Sequence, residues 1–125
     1  MLKAHFLLFF LLSSALLHAQ QAEFFFEDPE FKFPRANEGE QLVHYYRFVN
    51  KGTAPLLITD SKVNCICTRV QFPLKPIMPG QIDSIKVSFD TKAKSGYHDR
   101  KISLTSNAVN NPVFIRFKVF VRKRD

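Results

Sequence analysis

From residue 20 onward, apolar and polar residues alternate with period two in repeated short runs, and no stretch sustains the 3.6-residue period of an amphipathic helix. Gly, Pro and Asn interrupt the runs at short intervals, the punctuation of an all-β chain. A first extended region covers Phe24 to Phe33, with Pro29 marking a break or an edge position. Gln41 to Asn50 places Leu42, His44, Tyr46 and Phe48 on one face. Asn50-Lys51-Gly52-Thr53 then reads as a turn, because Asn and Gly both tolerate positive φ.

Pro55 to Asp60 predicts a short strand over Leu56-Leu57-Ile58, and a further strand is expected from Cys65 to about Phe72. Prolines at 73, 76 and 79 exclude Pro73 to Gly80 from a central strand and suggest a long crossover between sheets. Ile82 to Phe89 puts Ile85, Val87 and Phe89 inward. Lys94-Ser95-Gly96 turns the chain, Arg100 to Asn107 is a strand, and Val113 to Val121 sets Val113, Ile115, Phe117, Val119 and Val121 against Arg116, Lys118 and Arg122.

About seven antiparallel strands in this length fit two packed sheets, an all-β immunoglobulin-like β-sandwich. The antibody pattern is missing: there is no Trp, and the only two cysteines lie two residues apart. Phenylalanine is left to fill the core, with eleven of the fourteen Phe lying beyond residue 19.

The N-terminus reads differently. Met1-Leu2-Lys3 carries one positive charge, Ala4 to Leu17 is almost wholly apolar, and Leu17-His18-Ala19 precedes Gln20-Gln21. This is the form of a secretory signal peptide, residues 1–19, cleaved after Ala19. The apolar run is several residues short of the roughly 20 that span a bilayer, so no transmembrane segment is expected after cleavage. No cysteine stands at the cleavage point to take a lipid. Residues 20–125 then form one domain, with room for no second one. The expected compartment is outside the cytoplasm of a bacterium, in the periplasm, at the cell surface or in the extracellular medium.

Without Lys3 the chain has 17 basic and 11 acidic residues, a charge of +6, part of it in Arg122-Lys123-Arg124. An exported protein seldom meets nucleic acid, so a partner for this charge is more reasonably an anionic envelope polymer. No Gly-x-Ser-x-Gly elbow, His-Glu-x-x-His helix or glycine-rich phosphate loop is present, and the chain has only four glycines. Neither catalysis nor a cofactor is expected. Phe24-Phe25-Phe26 cannot all face inward on a strand; they form either a partner-binding patch or an edge that folds over and is covered.

Several fragments, in order, resemble a bacterial family, domain of unknown function 1573 (DUF1573). They are Phe31-Lys32-Phe33, Glu38-Gly39-Glu40, His44 to Gly52, Pro55-Leu56-Leu57-Ile58, Cys65-Ile66-Cys67-Thr68, Pro79-Gly80, Val87 to Thr91, Lys94-Ser95-Gly96 and Thr105-Ser106-Asn107. Members of that family look like the Ig-like domains of the ASPM, SPD-2 and hydin group. The resemblance implies an exported Ig-like module with no established catalytic role. At the cysteines the family motif resembles Cys-Gly-Cys-Thr, and here Ile66 replaces the glycine, a residue that prefers regular strand.

Cys65 and Cys67 are the residues that hint at chemistry. In a regular strand their Cα atoms would stand roughly 6.6 to 6.8 Å apart, at the limit of what a disulfide accepts. They are a strained disulfide, two packed thiols, or half of a metal site completed by His44 and His98, the two histidines beyond the leader. His44 reads as a hydrogen-bonded core residue and His98, after a turn, as exposed. A Cys67–His44 nucleophile pair is the one enzymatic arrangement the composition allows.

The leading expectation is a non-enzymatic binding or scaffold module docking another envelope protein. The alternative is a thiol-redox or metal-handling protein using Cys65 and Cys67. A subunit that polymerises by strand addition needs a long unpaired edge, which Pro29 and the basic final strand oppose.

Overall fold

The computed structural model describes residues 19–125, so the predicted signal peptide, save Ala19, lies outside the described residues. Nine strands follow in order: β1 Phe24–Phe26, β2 Glu30–Lys32, β3 Ala36–Asn37, β4 Gln41–Asn50, β5 Ile58–Lys62, β6 Thr68–Gln71, β7 Ile82–Asp90, β8 Gly96–Ser106 and β9 Val113–Arg122. Among the described residues no helix is long and apolar enough to cross a membrane.

The strands form two sheets, β1-β4-β7-β6 and β2-β9-β8-β5, with β3 also paired to β9. This is the A-B-E-D and G-F-C order of a constant-type immunoglobulin sandwich. The extra strands arise where Pro29 was expected to break the first extended region. Before it, β1 runs antiparallel to β4 in one sheet; after it, β2 and β3 run parallel to β9 in the other. Pro29 has no N–H to give a ladder, but its carbonyl accepts from Arg116 at 2.9 Å as the chain changes sheet.

The long alternating runs hold their predicted faces. Tyr46, Phe48, Ile85, Val87, Phe89, Ile115, Phe117, Val119 and Val121 are buried between the sheets. Six phenylalanines, at 24, 26, 33, 48, 89 and 117, belong to this core. Tyr46 is almost fully buried, and its hydroxyl crosses the core to donate to the Arg116 carbonyl at 2.8 Å, tying β4 of one sheet to β9 of the other.

Three connections differ from expectation. Pro73 to Gly80 joins β6 to β7, antiparallel neighbours in one sheet, and is not a crossover. Its prolines bend it so that Ile77 pairs with Leu56, which is why Leu56 is held by an isolated bridge and β5 begins only at Ile58. The turn after β4 needs Gly52 for a different reason than positive φ. A Cβ there would run into the backbone of Gln21, Ala22 and Glu23, which lies directly against it. Finally, β8 begins at Gly96, whose φ is +80°, rather than at Arg100.

Asn50 fastens this end of the sandwich. It is fully buried, and its amide donates to the carbonyls of Ala54 (2.8 Å) and Ile77 (2.9 Å). Its side-chain oxygen accepts from Glu23 N (3.2 Å) and Gly52 N (2.9 Å), so every polar atom of a buried amide has a partner.

Candidate functional site

The cysteines do not lie in a strand. Cys65, Ile66 and Cys67 form a turn ahead of β6, closed by a hydrogen bond from Thr68 N to Cys65 O at 3.1 Å. The turn brings the two Cα atoms to 5.2 Å, nearer than a regular strand allows, and the sulfurs are joined as a disulfide. Cys67 N–H points at Cys65 Sγ, and Cys67 O accepts from Asp90 N at 3.0 Å, anchoring the turn to the end of β7. Ile66 is 99% exposed at its tip, so the side chain expected to favour a strand extends into solvent instead. Beside it a shallow groove of about 340 Å³ is lined by Gln41, Ile66, Cys67, Arg69, Ser88 and Asp90.

The histidines are placed on the inner faces of their strands and take no part in this turn. Half-buried His44 stacks on Phe31 with ring centroids 3.6 Å apart, edge-on to Tyr46. Among the described residues its ring has no hydrogen-bond partner, contrary to the hydrogen-bonded core histidine expected, and burial holds its pKa below 6.5. His98 is half-buried in β8 rather than exposed after a turn. Its Nε2 lies 3.1 Å from Ser95 O and its Nδ1 lies 3.3 Å from the Arg100 guanidinium. A neutral ring with its proton on Nε2 satisfies both contacts. Burial and then the Arg100 charge lower its pKa. Among the described residues no three His, Cys, Asp or Glu side chains gather as a metal-binding group.

The Phe24-Phe25-Phe26 run divides by strand alternation. Phe24 and Phe26 are buried and stacked 4.8 Å apart, while Phe25 turns outward under Lys51 Nζ, 3.4 Å from its ring centre. Register then places Phe25 beside Val49 and Val49 beside Ile82, so three neighbouring strands put one apolar side chain each into a single row. Ile82 is 50% exposed, and the row borders a groove of about 300 Å³ that also includes Glu27, Arg47 and Lys51. The sequence signalled Phe25, but not the row, which exists only through pairing.

The outer face of the second sheet is different in character. Phe120 and Tyr97 pair across β9 and β8 with centroids 5.1 Å apart, and the Arg35 guanidinium lies 4.8 Å from the Phe120 ring centre. Lys118 is the register neighbour of Lys32 on one side and Asp99 on the other. Asp99 itself is paired with Arg116 at 2.7 Å. At the other end of β9 the half-exposed Phe114 turns outward under Lys101 Nζ, 4.0 Å from its ring centre, so the result is a basic surface with aromatic rings at both ends of β9.

Fold and surfaces together define an immunoglobulin-like β-sandwich. The family model of DUF1573, a protein family of unknown function, matches residues 24–121, and the chain belongs to that family. No curated protein matches it in sequence. Among solved structures it resembles a PapD-like domain of human CEP192, at 9% identity and a TM-score of 0.64, over 88% of this chain and 92% of that one. It also resembles a protein of unknown function from Porphyromonas gingivalis, at 17% identity and a TM-score of 0.69, over 86% of this chain and 50% of that one. A third similar structure is the secreted serine protease VesC from Vibrio cholerae, at 13% identity and a TM-score of 0.56, covering 88% of this chain and 24% of the protease. At these identities the likeness is one of fold.

Proposed function

We propose that this chain is a non-enzymatic binding module of the bacterial cell envelope, exported by its N-terminal segment, that docks a second envelope protein through the outer face of β1, β4 and β7. The observation that carries the reading is the Phe25–Val49–Ile82 row. It is an apolar strip in cross-strand register, fenced by Glu27, Arg47 and Lys51, the pattern of an apolar centre with a charged rim that suits a protein partner. Family membership and an Ig-like fold support a binding role, since such sandwiches present faces and loops rather than an enclosed cleft.

The test places a photo-crosslinker in the groove (Arg47→benzoylphenylalanine) in the full chain expressed in its host. The expected result is one discrete adduct with an envelope protein, lost when Phe25→Glu is added, on a chain whose intact mass begins at Gln20. A chain retained uncleaved in the cytoplasm, or crosslinking no stronger than from Lys75→benzoylphenylalanine in the β6–β7 loop, refutes it.

A second reading, thiol exchange at Cys65–Cys67, is favoured by the position of the disulfide in a surface turn with Ile66 exposed. There one thiolate of a dithiol reductant attacks one sulfur, forming a mixed disulfide and releasing the other cysteine as thiolate; the second thiolate of the reductant then displaces the attacked cysteine, leaving both cysteines reduced and the reductant a disulfide. Rapid reduction by a thioredoxin-type dithiol under conditions that leave the fold intact supports this reading; resistance to it leaves binding alone.

A further inference from the structure

We infer that the outer face of the β2–β9–β8 sheet is a docking surface for an acidic polysaccharide, a second site on the face opposite the apolar row. The inference rests on the envelope reading in one respect: a basic, aromatic sheet face also suits single-stranded nucleic acid, which an exported protein would not meet.

Alternation sends Phe120 and Lys118 of β9 outward beside Tyr97 and Asp99 of β8. Parallel pairing of β2 adds Lys32 next to Lys118. Asp99 is ion-paired with Arg116 and also adjoins Lys118, and Glu30 stands beside Arg116 on β2; against these two carboxylates the face carries Arg116, Lys32, Lys118, Arg35 and, one step along β8, Lys101, so it is net positive. Cross-strand neighbours stand about 5 Å apart and next-nearest residues on one strand about 7 Å apart, so these cations form a continuous field rather than isolated points. A net positive surface attracts a polyanion.

Charge alone does not select a saccharide; the rings do. Tyr97 is 76% exposed, and with Phe120 it walls a groove of about 410 Å³ completed by Lys32, Phe33, Pro34 and Arg35. Arg35 covers one face of Phe120, and the exposed face of Tyr97 beside these cations matches a sugar ring, whose C–H face is apolar and whose carboxylate or sulfate is the charged substituent. A folded protein partner fits less well, since here the charges occupy the middle of the face and the aromatic side chains its ends, the reverse of a protein interface.

The test measures binding by the full chain, purified after expression in its host, to oligogalacturonate, dextran sulfate, uncharged dextran, polyglutamate and oligo-dT. The expected result is binding of the two acidic saccharides, falling steeply with salt, and at least about tenfold weaker binding of dextran. Arg35→Gln and Lys118→Gln each weaken the acidic saccharides about tenfold, while Lys75→Gln, in the β6–β7 loop, leaves them unchanged. Tyr97→Ala weakens saccharide binding but not residual binding to polyglutamate. Carboxylate preference points to a uronic polymer and sulfate preference to a sulfated one. The inference is overturned by no binding of either acidic saccharide, by polyglutamate or oligo-dT binding as tightly, or by indifference to Arg35→Gln and Tyr97→Ala. Cell fractionation keeps the two proposals separable: a chain in the envelope that binds no saccharide refutes this surface only, whereas a cytoplasmic chain that binds oligo-dT refutes both.

Discussion

Asn50 offers the most direct test of how the sandwich is held together. Its amide joins three backbone segments: the approach to β1 through Glu23, the turn after β4 through Gly52 and Ala54, and the β6–β7 loop through Ile77. Asn50→Ala removes four hydrogen bonds, one buried and three part-buried; Ala54 O and the Glu23 and Gly52 N–H groups lose their partner, while Ile77 O still accepts from Leu56 N. At roughly 0.5–1.5 kcal/mol per bond, with an added penalty for groups left unpaired, the cost is about 3–5 kcal/mol. A domain of this size is stable by about 5–15 kcal/mol, so the variant should lose a large share of its stability, with Tm lower by about 15–25 °C. Asn50→Asp preserves the shape but removes both donors and sets a carboxylate against the carbonyls of Ala54 and Ile77. Burial beside those oxygens raises the carboxyl pKa of the folded variant, so protonation favours its fold. Asn50→Asp is therefore least stable relative to the parent at neutral pH and recovers as pH falls through its raised folded pKa, the recovery being complete below about 4. The assay is urea unfolding followed by far-UV circular dichroism, since the chain has no Trp. A cost below about 1 kcal/mol for Asn50→Ala, or an Asn50→Asp variant as stable as the parent at pH 7, refutes the assignment.

Gly52→Ala should cost about 2 kcal/mol or more, because its Cβ meets backbone of the N-terminal segment. Gly80→Ala, at φ +82° with nothing within 4 Å, should cost only about 1 kcal/mol, and the reverse order in urea midpoints counts against the packing argument. Tyr46→Phe removes the hydrogen bond between the sheets and should lower stability by about 1 kcal/mol, an effect absent for the exposed Tyr45→Phe. His44 and His98 both have folded pKa values below 6.5, so the unfolded chain binds their protons more readily. The stability they contribute is complete above about pH 6.5 and is lost as pH falls toward the depressed values; in Tm measurements from about pH 7.5 to 5.5, His44→Gln with His98→Gln should flatten the profile, and an unchanged slope contradicts the assignment.

The long strands were legible because each carries its own evidence. In β4, β7 and β9 the apolar positions recur every second residue over nine or ten residues, enough to fix both face and register. The start of β8 was hidden because its first inward positions carry His98 and Arg100 rather than aliphatic residues. β5 was blurred because Asp60 and Lys62 follow a bulge after Ile58. The asparagines at 50, 107 and 110 looked like turn punctuation, yet each closes hydrogen bonds to segments distant in sequence, which no local pattern encodes. The cysteine turn was missed for a related reason: a short disulfide overrides the strand preference of Ile66. Of the candidate surfaces, the sequence showed the charges of the last strand and the outward phenylalanine, but not the neighbours that pairing brings to them.

The edges of the sheets bear on which surfaces remain open to a partner. β1 is three residues long, and Asn110 fills its outer edge by accepting from Phe24 N at 2.9 Å and donating to Phe24 O at 2.6 Å, the two groups that an added strand would use. Before β5, Asn107 extends the side that faces β8, accepting from Leu57 N at 2.8 Å and donating to Pro55 O at 3.0 Å, while the other side is taken by the Leu56–Ile77 bridge. β5 itself is bulged and carries Asp60 and Lys62. β6 has four residues between the disulfide turn and Pro73. The outer side of β9 is taken by β2 and β3, short strands separated by Pro34. Each edge is thus short, bulged, plugged or already paired, the devices that discourage strand addition. A chain so guarded is poorly suited to polymerise through its edges. Its capacity for recognition falls instead on the two broad outer faces, one bearing an apolar row and the other a basic aromatic field.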